Sequence, residues 1–283
     1  MKNVSGHAFD KILLTLTLII TVIGFSFFVS ASLGIFAVNS AKFYSILVNQ
    51  STFLVLGVAG LFVTAKLFPY ELLRRYALPI FTLGLLLCFL VFVPGLGFSH
   101  GGATRWINLG FTTFQTGEFL KIAAIIYCAG WFSIFKHKIK DSRYGLIPLC
   151  CIIGLSGIAL LLQPDTDTFM VLAVACVAIY FAAGAPWRNL FILGGLGLTL
   201  IVGLVLARPY ILSRLLTFVD GTSVDVRGAG YQAYQSLLTV GSGGIVGQGI
   251  GQSVQKFGFL PEPAGDSIFA VIAEETGLIG STI

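Results

Sequence analysis

Windows of apolar residues long enough to cross a lipid bilayer recur from one end of this chain to the other, and they decide the fold class before any motif does. A hydrocarbon core of about 30 Å takes roughly 17 to 25 helical residues. With no water at that depth, each backbone polar group must be satisfied inside its own segment, which selects helices. Eight such windows are predicted: residues 12–29, 46–65, 76–93, 119–135, 145–162, 168–183, 190–207 and 267–283. Composition agrees, since 56% of the 283 residues are hydrophobic and only 10% charged, against about a quarter charged in soluble proteins. Mean hydropathy is +0.94. The sequence therefore predicts an all-α polytopic membrane protein. Its first window exceeds the usual apolar region of a signal peptide and precedes no clear small-residue cleavage site, so it is expected to stay.

The net charge of +5 reads as topology rather than as a nucleic-acid surface, because the basic residues are spread along the connections. With the amino terminus inside, the cytoplasmic segments hold Lys2, Lys11, Lys66, Arg74, Arg75, Arg188 and the run "KHKIKDSR" with Lys136, Lys138, Lys140 and Arg143. The short outer loops hold only Lys42 and Arg105. Five cysteines, Cys88, Cys128, Cys150, Cys151 and Cys176, all fall within predicted spans without CxxC spacing, so they are expected to pack rather than to form disulfides or a zinc site.

Three segments face outward in this arrangement: residues 95–118, "QPDTD" at 163–167, and a loop over 208–265 that is too long for a plain connector. The long loop carries Tyr210, Leu215, Leu216, Phe218, Tyr231, Tyr234, Leu237, Leu238, Phe257 and Phe259, enough apolar surface to be structured. Within it, "YQAYQSLLTV" (231–240) has helical spacing and is expected to form a helix at the outer membrane surface. "GSGGIVGQGIGQS" (241–253) follows, with six glycines. It matches neither phosphate-loop motif, and is expected to serve positive φ and close backbone approach.

Charges near the membrane each call for a partner or a function. Glu118 and Lys121 stand three apart on one helix face, placed to pair. Arg105, beside Trp106 in "GGATRWINLG", suits either headgroup contact or a pyrophosphate. Asp165 and Asp167 stand where a helix begins, and capping is the first expectation for both. Then comes "LPEPAGDSIFAVIAEE" (260–275), with four of the twelve acids of the chain. On residues alone, Asp266 is expected to cap the last helix before it is expected to do chemistry. At 100° per residue Glu274 lies about 80° from Asp266 and Glu275 about 180° away, so Glu275 must face another helix.

Three blocks, "GGATRWINLGFTTFQTGEFLK", "LLQPDTDT" and "GAGYQAYQSLLTVGSGGIVGQGIGQSVQKFGFLPEPAGDSIFAVIAEETGLIG", resemble in order and placement the FtsW/RodA/SpoVE (SEDS) family, with "GQGIGQSVQK" and "LPEP" closer to its FtsW/SpoVE branch. The resemblance implies about ten spans, of which eight are present here, so the chain reads as a single SEDS transmembrane domain incomplete at its carboxyl end. It also implies a peptidoglycan glycosyltransferase of cell division that polymerises lipid II, producing undecaprenyl-pyrophosphate-linked glycan at the outer face of the bacterial cytoplasmic (inner) membrane. A class B penicillin-binding protein and other divisome proteins are the implied partners. The family's essential aspartate carries over to Asp266, and its "LPE" glutamate to Glu262. Its "RW" arginine carries over to Arg105, its "E..K" pair to Glu118 and Lys121, and its "QPD" aspartate to Asp165. This chain departs from the family in "QTGE" for "QPSE", "QPDTDT" for "QPDLGT" and "AGDSIFA" for "HTDFIFA".

What the resemblance implies mechanistically is that Asp266 takes the proton of the acceptor sugar hydroxyl. Arg105, Lys121 and Lys256 would then face the departing pyrophosphate, and Glu262 would orient one of these cations or bind a divalent ion, Mg or Mn. No cofactor is certain. A lipid II flippase and a non-catalytic divisome scaffold are the rival readings.

Overall fold

A computed structural model describes residues 10–67, 70–100, 103–108, 110, 112–207 and 230–283. Ten α-helices are present among them: α1 Lys11–Val38, α2 Ser40–Leu67, α3 Tyr70–Arg75, α4 Ala77–Leu90, α5 Thr116–Ile134, α6 Leu146–Leu162, α7 Thr166–Ala182, α8 Trp187–Ala207, α9 Tyr231–Ser242 and α10 Ile268–Thr282. Each of the eight predicted spans falls on one helix, and the helix expected over 231–240 is α9. Helices α1, α2 and α5 are long and apolar enough to cross a membrane, and α4, α6, α7 and α8 are shorter apolar helices. At 1.5 Å per residue the 28 residues of α1 reach about 42 Å, beyond the hydrocarbon core. The part of the long loop at 208–229, with Tyr210, Leu215, Leu216 and Phe218, lies outside the described residues.

The helical fold stands as expected, with one small element that the windows did not predict. Residues 97–115 form a three-stranded antiparallel sheet, β1 Gly97–His100, β2 Ala103–Asn108 and β3 Thr113–Gln115, in the order β1-β2-β3. Trp106 pairs with Phe98 on one side and Gln115 on the other, so the middle strand holds the neighbouring Arg105 in a fixed frame.

The chain divides into two compact units, Met1–Val58 with Gly203–Ile283, and Ala59–Val202. The second unit packs α4, α5, α6 and α7 around Leu120, Cys128, Leu149, Leu160, Leu172 and Tyr180, all fully buried. Small residues let these helices approach: a Cβ at Gly84 would lie 3.2 Å from Leu120 and one at Gly157 2.8 Å from Phe169, the small-residue packing expected where lipid supplies no hydrophobic drive. Cys88, Cys128 and Cys176 are buried free thiols within this packing, and Cys150 and Cys151 are free as well.

The first unit contains a broken helix. α10 is interrupted at Gly277, whose φ of 68° and ψ of −170° lie where essentially only glycine is at ease. A break inside a membrane helix releases backbone groups that must find new partners. The glycine-rich segment after α9 provides them. Gln248 and Gly249 donate their amides to the carbonyls of Glu274 and Glu275, both at 2.9 Å, while Leu278 and Ile279 donate to the carbonyls of Gly244 and Ile245 at 2.9 and 3.2 Å. Gly244, Gly247, Gly249 and Gly251 all have positive φ. The segment therefore does what its composition predicted, and its backbone is spent on the chain itself rather than on a phosphate.

Candidate active site

In the first unit the acids of "LPEPAGDSIFAVIAEE" separate by environment. The turn before α10 is built on Glu262, whose φ of 45° places it in the left-handed region. Its carbonyl accepts from the amides of Gly265 at 3.0 Å and Ser267 at 3.2 Å. Its carboxylate lies back along the same turn, since a Cβ at Gly265 would stand 3.7 Å from Glu262 Oε2. Asp266 is the next residue. The structure corrects the capping expectation: the cap position is Ser267, and no side chain caps α10. Asp266 is exposed, and among the described residues no side chain or backbone group pairs with its carboxylate. The turn thus presents two exposed carboxylates, with Glu262 at a left-handed backbone position.

Deeper in α10 the two glutamates are both buried, 1% exposed each. Glu274 accepts a short hydrogen bond from Ser253 Oγ and one from the Val254 amide, so it staples the loop rather than sharing a cavity with Asp266. Glu275 faces another helix, as its angle required. Its Oε1 accepts from Ser30 Oγ of α1 at 2.6 Å and from Lys256 Nζ at 2.8 Å.

This arrangement revises the role expected of Lys256. Its ammonium has three protons and no acceptor capacity. All three are used, by Glu275 Oε1, by the Gly251 carbonyl at 2.9 Å and by Ser30 Oγ at 3.2 Å. The side chain is fully buried. Nothing is left to offer a pyrophosphate or Asp266, so Lys256 acts as a structural cation. Ser30 belongs to the same cluster and was missed by sequence reasoning, because a serine in an apolar helix ordinarily bonds its own helix. Ser26 and Ser32 do that, donating to the carbonyls four residues back.

In the second unit, Arg105 is tied to the fold as well as partly exposed. From β2 it donates through Nε to the Gln163 carbonyl at 3.4 Å and through Nη2 in a short bond to the Pro164 carbonyl, with Nη1 3.8 Å from Asp165 Oδ1. It secures the α6–α7 turn while remaining partly exposed. Asp165 is buried and caps α7 through the Thr168 amide, as expected, and its Oδ2 has no hydrogen-bond partner. Gln163, also missed from sequence, is fully buried. Its amide donates to the Cys88 carbonyl at 2.7 Å and to Thr116 Oγ1 at 3.3 Å, joining the ends of α4, α5 and α6. Glu118 and Lys121 form the expected pair at 2.7 Å, with the glutamate half exposed. The structure thus brings Arg105 to Asp165, Glu118 to Lys121 and Glu262 to Asp266, and takes Lys256 away from the last pair. Among the described residues no three His, Cys, Asp or Glu side chains gather to hold a metal ion.

Comparison with known proteins agrees with the resemblance. The family model of FTSW_RODA_SPOVE, described as cell cycle protein, matches residues 10–283. Stage V sporulation protein E of Bacillus subtilis is 34% identical over 276 residues, covering 97% of this chain and 74% of that protein. A probable peptidoglycan glycosyltransferase FtsW of Coxiella burnetii is 32% identical over 285 residues, covering 100% of this chain and 75% of its own length. A protein so named in Halothiobacillus neapolitanus is 35% identical, and this chain spans 65% of it. Among solved structures, one titled as a peptidoglycan synthase complex coordinating polymerization and crosslinking superposes with a TM-score of 0.71 at 25% identity, covering 97% of this chain and 73% of that one. The rod shape determining protein RodA of Thermus thermophilus gives a TM-score of 0.62 at 25% identity, covering 97% and 70%.

Proposed function

The chain belongs to the FtsW/RodA/SpoVE family of cell cycle proteins, and from that premise we propose that it is a peptidoglycan glycosyltransferase whose general base is Asp266. The substrate is lipid II, polymerised at the outer face of the bacterial cytoplasmic membrane, with the amino terminus in the cytoplasm as the positive-inside rule places it. Asp266 takes the proton of the acceptor sugar hydroxyl as that oxygen bonds the anomeric carbon of the donor. The bond from that carbon to the lipid pyrophosphate breaks, and the pyrophosphate departs with the electron pair.

The observation that carries the reading is that Asp266 is spent on nothing else. Among the described residues it caps no helix and pairs with no cation, whereas Glu274 and Glu275 are each committed to the fold. Glu262, on the same turn, fixes the backbone that presents Asp266. Arg105, Glu118, Lys121 and Asp165 are proposed as substrate contacts on the strength of the resemblance, Arg105 and Lys121 being the cations that remain partly exposed. A class B penicillin-binding protein is the proposed partner. In support, a solved relative is titled as a complex that coordinates polymerization with crosslinking.

The test is polymerisation of labelled lipid II by the full-length protein in vesicles, with and without that partner. Asp266→Asn should leave no polymer on the gel while changing stability by less than about 0.5 kcal/mol, as expected of an exposed residue without partners. Polymer retained by the variant would remove Asp266 from the chemistry.

A further inference from the structure

Within the second unit, α4, α5 and α6 enclose a groove of about 390 Å³, inside the usual size range of ligand sites. Its walls are apolar and aromatic. Phe81 and Tyr127 stack at 5.2 Å with ring planes 11° apart. Trp131 is fixed by donating its indole N–H to the Tyr144 carbonyl at 3.0 Å. The groove opens sideways past residues about half exposed, Leu155 at 50%, midway along α6, and Leu78 at 53%, in the first turn of α4. Its opening therefore faces acyl chains, not water.

One charged residue lines it, Arg143, at the end of the bundle where "KHKIKDSR" joins α5 to α6. Among the described residues the Arg143 guanidinium has no partner. The nearby acid is otherwise engaged, since Asp141 Oδ1 accepts from the Arg143 backbone amide at 3.0 Å. Lys138 stands beside it with its ammonium 5.0 Å from the Tyr144 ring centre, and Lys136 and Lys140 lie in the same run. An apolar groove between membrane helices, lined at its basic end by an unpartnered guanidinium, has the complementarity of a lipid bearing phosphate. Arginine suits that role because its fork meets phosphate oxygens two at a time. Basic pockets between membrane helices on the cytoplasmic side are built in this way for anionic headgroups.

We propose that this groove is a binding site for an anionic phospholipid, one acyl chain lying along Tyr127 and Trp131 and the phosphate seated on Arg143. A topology marker alone would leave Arg143 snorkelling into any headgroup layer without preference. The site shares no residue with the turn that carries Asp266 and needs no polymerase activity to be detected.

The experiment is native mass spectrometry of the full-length protein titrated with phosphatidylglycerol, with phosphatidylcholine of the same chains, and with undecaprenyl phosphate. The wild type should retain phosphatidylglycerol about tenfold more tightly than phosphatidylcholine, because the choline ammonium offsets the phosphate charge that Arg143 meets and so weakens that charge-assisted contact. Arg143→Gln should abolish that preference by weakening phosphatidylglycerol more than phosphatidylcholine, and Arg143→Lys should keep part of it. Cys151→Trp, at an exposed position lining the groove, should expel both phospholipids. Equal retention of the two phospholipids by the wild type, or a preference that survives Arg143→Gln, overturns the proposal. Undecaprenyl phosphate displacing phosphatidylglycerol at lower concentration overturns the phospholipid assignment.

Discussion

Replacing Lys256 by methionine tests the buried cluster that joins α1, the glycine-rich loop and α10. Lys256 and Glu275 are both wholly shielded and 2.8 Å apart, and Lys256 makes two further hydrogen bonds, to Ser30 and Gly251. Removing either partner leaves the other charge buried without compensation, which costs about 3–5 kcal/mol. Lys256→Met and Glu275→Gln should therefore each destabilise the first unit by that amount. The pair Lys256→Met with Glu275→Gln, which removes both charges and keeps similar volumes, should lose less than either single change. The measurement is unfolding of the full-length protein in mixed micelles of increasing SDS fraction, followed by tryptophan fluorescence. A coupling energy of about 2 kcal/mol or more between the two sites is the expected result. If the double variant instead loses the sum of the two single losses to within about 0.5 kcal/mol, the residues are independent and the cluster does not hold the fold as described.

Two further substitutions probe the backbone and the polar hub of the other unit. Gly277→Ala forces a side chain into a glycine-only conformation and puts its Cβ 2.5 Å from the Ile245 carbonyl oxygen, so the broken helix should lose at least about 1–3 kcal/mol. Wild-type resistance to SDS in that variant would argue against the break. Gln163→Leu removes the donor to the Cys88 carbonyl in a fully buried site and should cost about 1–3 kcal/mol, read as a lower thermal midpoint. An unchanged midpoint would show that the α4, α5 and α6 ends hold together without it.

The spans were legible because length and hydropathy are local properties, and each predicted window falls on a helix. The small sheet was not, since strands of four, six and three residues in a glycine-interrupted segment give too few alternations to register. At the site, the 100° step placed Glu275 on the face opposite Asp266, and the glycines announced positive φ. What they could not announce was the destination of those backbone amides, because the break at Gly277 is one glycine in an apolar run. Lys256 was misread for the same reason. A lysine next to a catalytic motif looks available until its three acceptors are in place, and one of them is on a helix at the other end of the sequence. Asp266 and Asp165 look alike as helix starters, and only the geometry of Ser267 and Thr168 separates them.

The contact between Ser30 and Glu275 spans 245 positions, whereas Lys256 and Glu275 are 19 apart. During synthesis the oppositely charged pair reaches the membrane almost together, each able to offset an insertion cost of about 2.5–3.5 kcal/mol carried by the other. α1 has by then been in the bilayer for tens of seconds at about 5–20 residues per second. α1 therefore waits, the Ser30 hydroxyl free to bond its own turn, until α10 docks. Assembly of this cluster therefore waits until α10 has been made, and a ribosome stalled before Glu275 would leave Lys256 without its counter-ion.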